Sequence, residues 1–119
     1  MRDKQTEYSC AAASAIELLQ GKWRIQILCV MRHGPVRLGR LGRSIPSASK
    51  KVLTENLRKL ESAGLISRTD LGGQIRHVEY DLVEPVKLGT YQLLDSLAQW
   101  QTVYETALPT QHDNGREIP

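Results

Sequence analysis

The stretch IPSASKKVLTENLRKLESAGL, residues 45–65, decides how the rest of the chain is read. Leu53, Leu57 and Leu60 recur at steps of four and three, which puts them on one face of a helix. Ser47 or Ser49 can cap its start, after the break that Pro46 makes in the chain. Gly64 can supply its C-terminal turn. The spacing therefore predicts a helix over 47–63 with an apolar back and a small, basic first turn. Such a helix can bury one face on its own domain and push its N-terminal turn into a DNA major groove. There Ser47, Ser49 and Thr54 would bond phosphate or base edges, and Lys50 and Lys51 would supply charge. Amides at a helix N-terminus add affinity for phosphate. Taken singly, a serine at a helix start is a cap and an exposed lysine is solvated surface. The neighbouring elements and the charge pattern have to decide.

Upstream, an Ala-rich segment predicts a helix over 10–20, with Ser9 as cap, Gly21 as stop, and Ile16 and Leu19 facing inward. A second helix is expected over 22–32, where Trp23, Ile27, Val30 and Met31 stand at helical spacing. His33-Gly34-Pro35 ends it. Val36 and Arg37 form a very short strand, and a short helix fits 38–43. Downstream, LISRTD and QIRHVEYDLV read as two strands joined at LGG, a hairpin over 65–82. A last helix is expected over 90–107. Leu93, Leu97, Trp100 and Tyr104 form one stripe on it, beside Leu94 and Ala98. This order, two helices, a short helix, a long helix, a hairpin and a helix, is that of a winged helix-turn-helix. The fold class is mainly α with a small β-hairpin wing.

Charge points the same way. Residues 22–76 hold twelve basic side chains against three acidic ones, while the flanks hold four basic and ten acidic; the net +3 conceals a basic middle. Such a block suggests a polyanion-binding face. Arg37, Arg68 and Arg76 belong to it, and His77 is read as a wing residue near phosphate. The stripe on the last helix is wider than a small domain needs to cover, which marks an interface between two copies.

Length and composition set limits. At 119 residues the chain is read as one domain over 1–108, followed by a tail, residues 109–119, expected to be disordered. With no Phe and only two Trp, the core must be aliphatic. No apolar run approaches a membrane span, and MRDKQTEYSC has no signal-peptide core, so the chain is expected in the cytoplasm without membrane partners. Cys10 and Cys29 are not expected to form a structural disulfide there, and they lack metal-ligand spacing. No phosphate-cradling glycine loop, nucleophile elbow, Cys-x-x-Cys pair or metalloprotease motif is present. No catalytic residue, metal or cofactor is therefore expected. The competing reading is a winged helix used for protein–protein or RNA contact, with low affinity for duplex DNA.

LLQGKWRIQIL, GPVRLGRLGRSIPSASKKVLTENLRKLESAGLISR and HVEYDL together resemble the HxlR family of bacterial transcriptional regulators, which are MarR-like. The similarity runs from about residue 10 to residue 100. It rests on the Gly-Lys-Trp at 21–23, the Ile-Pro-to-Gly-Leu run and the Val-Glu-Tyr at 78–80. The resemblance implies a homodimer built by the N- and C-terminal helices and an inverted-repeat operator in double-stranded DNA. It implies reading by residues 47–58, Arg58 included, and a wing that contacts minor groove or phosphate. Leu38-Gly39, with Arg40 and Arg43, departs from the aromatic and acidic residues usual in the family's short helix, and Gly39 and Gly42 should weaken that helix. LGGQIR replaces the usual proline pair of the wing. Cys10 stands where many members carry an N-terminal cysteine, in some a sensor of oxidants or electrophiles. A thiol in a first helical turn feels the positive end of the helix dipole, which favours that role; its alternative is small-residue packing. Cys29 is expected in the core. The effector is then an oxidant or a small molecule.

Overall fold

The computed structural model describes residues 10–75 and 77–108. Its first two helices are α1, Ala11–Leu19, and α2, Arg24–Met31. Gly21 takes φ +117° in the link between them, and the Arg24 guanidinium donates to the Leu18 carbonyl at 2.8 Å, which satisfies one of the open carbonyls at the end of α1. Leu19 is buried as expected, but Ile16 is exposed, 54% of its surface remaining open. On α2, Ile27, Leu28 and Met31 are buried, whereas Cys29, expected in the core, lies on the exposed side. One residue advances a helix by about 100°, so the neighbour of a fully buried Leu28 turns outward.

Val36 is a β-bridge residue: its N–H and C=O both bond Tyr80, at 2.9 and 2.8 Å. Helices α3, Leu38–Ser44, and α4, Lys50–Ser62, follow. Leu41, Ile45, Ala48, Leu53, Leu57 and Leu60 bury the faces of these helices and of the turn that joins them. α4 ends in a Schellman motif. Leu65 N–H bonds the Leu60 carbonyl and Gly64 N–H bonds the Glu61 carbonyl, both at 3.0 Å, with Gly64 at φ +83°. Strands β1, Ile66–Asp70, and β2, Val78–Leu82, pair antiparallel, with Ile66 opposite Leu82 and Asp70 opposite Val78. Ile66 and Leu82 are buried at the base of the hairpin, and Val83 N–H closes it on the Leu65 carbonyl at 3.0 Å.

The hairpin loop is longer than a tight LGG turn. It runs over 71–77, held by Asp70 Oδ1 accepting from Gly72 N–H at 2.9 Å and by Leu71 N–H bonding the His77 carbonyl at 2.7 Å. Gly72 and Gly73 both have positive φ. The last helix, α5, Glu84–Ala107, starts six residues before its expected first turn. Pro85 lies in its first turn, where a missing N–H breaks no helical bond. The chain divides into two compact units that part between Val86 and Lys87, inside α5. Ser9 and the segment 109–119 lie outside the described residues. Among the described residues no helix is long and apolar enough to cross a membrane, and no group of three or more His, Cys, Asp or Glu could hold a metal ion.

Candidate nucleic-acid interface

Ser49, not Ser47, caps α4. Its side chain accepts from Val52 N–H at 3.1 Å with extended backbone, φ −74° and ψ 162°. Ser47 lies exposed in the preceding turn, where Ala48 N–H bonds the Ile45 carbonyl at 3.1 Å. The helix therefore begins at Lys50, three residues into the expected span. With Leu53, Leu57 and Leu60 each 1% exposed, the back of α4 is fixed to its own unit, and its front is set by helix geometry. Lys51, Glu55, Arg58 and Ser62 form that front and are exposed, with Thr54 half-buried at its edge.

Lys50 projects from the side of the same first turn. It lines a cleft of about 460 Å³ together with Arg37, Leu38 and Gly39 on one side and Arg68, Val78 and Tyr80 on the other. Arg37 is the N-cap of α3, and Arg68 stands opposite Tyr80 in the ladder. Three elements far apart in the chain thus bring Arg37, Lys50 and Arg68 to one hollow, and among the described residues no Asp or Glu lines it. None of Arg37, Lys50, Lys51, Arg58 and Arg68 forms an ion pair with a described residue. Unpaired like charges held together repel, so an anion entering the cleft gains from all three.

The wing carries less of the expected site. His77 Nε2 lies 3.2 Å from Glu79 Oε2, so His77 faces a carboxylate of its own hairpin. Arg76 lies outside the described residues. Sequence reasoning passed over Glu55, which shares the front of α4 with Lys51 and Arg58. A carboxylate there can accept from a cytosine amino group, and its step of four from Lys51 is the signal that would have found it. Tyr80 and Leu38 were also missed, since only the fold brings them to the cleft.

Two further groups lie outside this face. Cys10 is the N-cap of α1, one position before its first turn, and is exposed; its carbonyl accepts from Ala13 and Ser14 N–H, and its thiol makes no capping bond. Cys29 is exposed too, but burial of part of its surroundings pushes its thiol pKa up, against the opposing pull of Arg32. On α5, Leu94 is buried and Leu93 half-buried, while Leu97, Trp100, Val103 and Tyr104 are open. The Trp100 and Tyr104 rings stack at 5.4 Å with 7° between their planes.

The sequence profile of the HxlR-like helix-turn-helix family matches residues 18–108. An uncharacterised HTH-type transcriptional regulator of Methanothermobacter thermautotrophicus is 34% identical over 113 residues, covering 95% of this chain and 83% of its own. The redox regulator HypR in its reduced form superimposes with a TM-score of 0.76 over 85% of this chain and 99% of its own, and at 24% identity this likeness speaks for the fold alone. Diamide-treated YodB from Bacillus subtilis is 28% identical, with a TM-score of 0.66 over 77% of this chain and 90% of its own.

Proposed function

This chain belongs to the HxlR-like helix-turn-helix family, and from that premise we propose that it is a homodimeric regulator that binds an inverted repeat in duplex DNA. α4 enters the major groove. Lys51 and Arg58, with Ser47 and Thr54, meet phosphates and base edges there. Lys50, Arg37 and Arg68 hold the phosphodiester backbone beside the groove, and the hairpin, with His77 and Arg76, lies along the neighbouring backbone or minor groove. The observation that supports this reading is the two-faced build of α4: leucines sealed against the unit behind it, and Lys51 and Arg58 exposed in front.

Dimerisation is supported by the open face of Leu97, Trp100, Val103 and Tyr104, with Leu93 at its edge. Leu94 is already buried in the single chain and leaves this set. Exposed apolar side chains grouped on one helix suit a two-fold contact. Two reading helices related by a two-fold axis call for half-sites about one helical turn, roughly 34 Å, apart or a multiple of it. Cys10 is the candidate for a redox or electrophile response. Its exposure at the start of α1 supports this, as does the diamide-treated state of the similar YodB.

Selection of bound fragments from fragmented genomic DNA, followed by fluorescence anisotropy on the recovered site, tests the reading. An inverted repeat bound at least about a thousandfold more tightly than random duplex is expected. Equal affinity for all duplexes, or a preference for RNA, would replace it with the competing winged-helix roles.

A further inference from the structure

We infer that Glu55 sets which operator is bound: its carboxylate selects cytosine at one position of each half-site and turns away guanine, thymine and random duplex. The inference rests on the proposed reading of α4 as the helix in the major groove. At about 100° per residue, Glu55 stands within about 15° of the direction opposite Leu53, Leu57 and Leu60, against about 25° for Lys51 and about 45° for Arg58. With those leucines fixed inward, Glu55 is the charged side chain of α4 that points most squarely outward, and it is exposed.

The surrounding charge makes a carboxylate at this place informative. Residues 22–76 hold twelve basic side chains and three acidic ones, Glu55, Glu61 and Asp70. Asp70 serves its own hairpin, accepting from Gly72 N–H at 2.9 Å, and Glu61 lies in the last turn of α4. Of the three, Glu55 stands in the middle of the reading face. Lys51 is four residues before it, Arg58 three after and Lys59 four after, all at spacings where helical side chains can pair. Yet among the described residues its carboxylate forms no ion pair and no hydrogen bond. It is open to a donor from outside, and phosphates offer none.

A carboxylate only accepts. In the major groove the donors are the amino groups of cytosine and adenine, while guanine N7 and O6 and thymine O4 accept and repel it. Adenine N7 sets a lone pair beside its amino group, so the second carboxylate oxygen favours cytosine. Lys51 and Arg58 only donate and so favour guanine. One helical turn is about 5.4 Å and one base-pair step about 3.4 Å, which places that guanine one or two steps from the cytosine. Duplex without the cytosine meets Glu55 as a like charge among phosphates.

Selection from random duplexes with wild type, Glu55→Gln and Glu55→Ala, followed by anisotropy on singly substituted sites, tests this. Wild type should hold cytosine at one position per half-site and lose about tenfold or more when it becomes guanine. Glu55→Gln should move that position to adenine, which a glutamine amide meets at N6 and N7. Glu55→Ala should leave the position without preference and bind random duplex several-fold more tightly than wild type. Every other position should keep its base in all three proteins, with equal thermal melts. The same preference at every position in all three, or a loss spread evenly over all positions, overturns the inference and leaves the DNA reading standing. A wild-type chain that selects no sequence removes both.

Discussion

Two helices of this chain carry leucine-rich stripes, and they use them in opposite ways. In α4 the stripe is closed: Leu53, Leu57 and Leu60 are each 1% exposed, and the charged face is turned to solvent. In α5 the stripe is open: Trp100 is 62% exposed, Val103 59% and Tyr104 46%. Equal periodicity therefore does not mean equal burial. A stripe is a demand for a partner. For α4 that partner is in the same unit, and for α5 the proposed partner is a second copy.

The contrast can be broken at its strongest point first. Leu57→Ala should cost about 2–5 kcal/mol of fold stability, because it empties a fully enclosed site; urea denaturation reads it directly. A loss near zero would mean that the back of α4 is not the core. Trp100→Glu should leave the fold standing and remove the dimer. Sedimentation at micromolar protein should show monomer, and operator affinity should fall by about thirtyfold or more, as for loss of an interface anchor. A dimeric Trp100→Glu would move the interface elsewhere. Lys51→Ala is milder. It should weaken specific and non-specific duplex binding together and flatten the salt dependence by about one unit for each phosphate no longer neutralised. An unchanged salt slope would take the front of α4 out of the groove. The smallest effect is kinetic. Cys10 should react with iodoacetamide several-fold faster than Cys29 at neutral pH, since the raised pKa of Cys29 keeps more of it as thiol. Mass spectrometry of the two peptides over time decides it, and equal rates would remove the distinction between the cysteines.

Where the sequence could be read, the reason was local. The leucine spacing of α4, Gly64 at its end and the strand signals of ISRTD and VEYDL all act within a few residues. The start of α5 was missed because Pro85 reads as a breaker unless its place in the first turn is known. Ile16 was placed inward by type; whether an apolar side chain is covered depends on what lies opposite, which local sequence does not contain. The wing loop was read as tight because LGG is a turn signal, yet two successive positive-φ glycines after Asp70 build a wider loop. The cationic cleft was the least legible part. Lys50 stood out as a first-turn cation of the reading helix, and Arg37 and Arg68 as members of the basic block, but only the packing of α3, α4 and the hairpin brings the three to one cleft.

The paired bonds between Val36 and Tyr80 have a mechanical meaning. With the Schellman turn into β1 and the Val83–Leu65 bond, they rivet the segment before α3 to the second strand of the wing and the end of α4 to its first. Helix and wing then form one stiff tool, in which neither part can tilt without tearing backbone bonds from the other. On the proposed dimeric reading, helix and wing of one copy would shift together when that copy moves against the other.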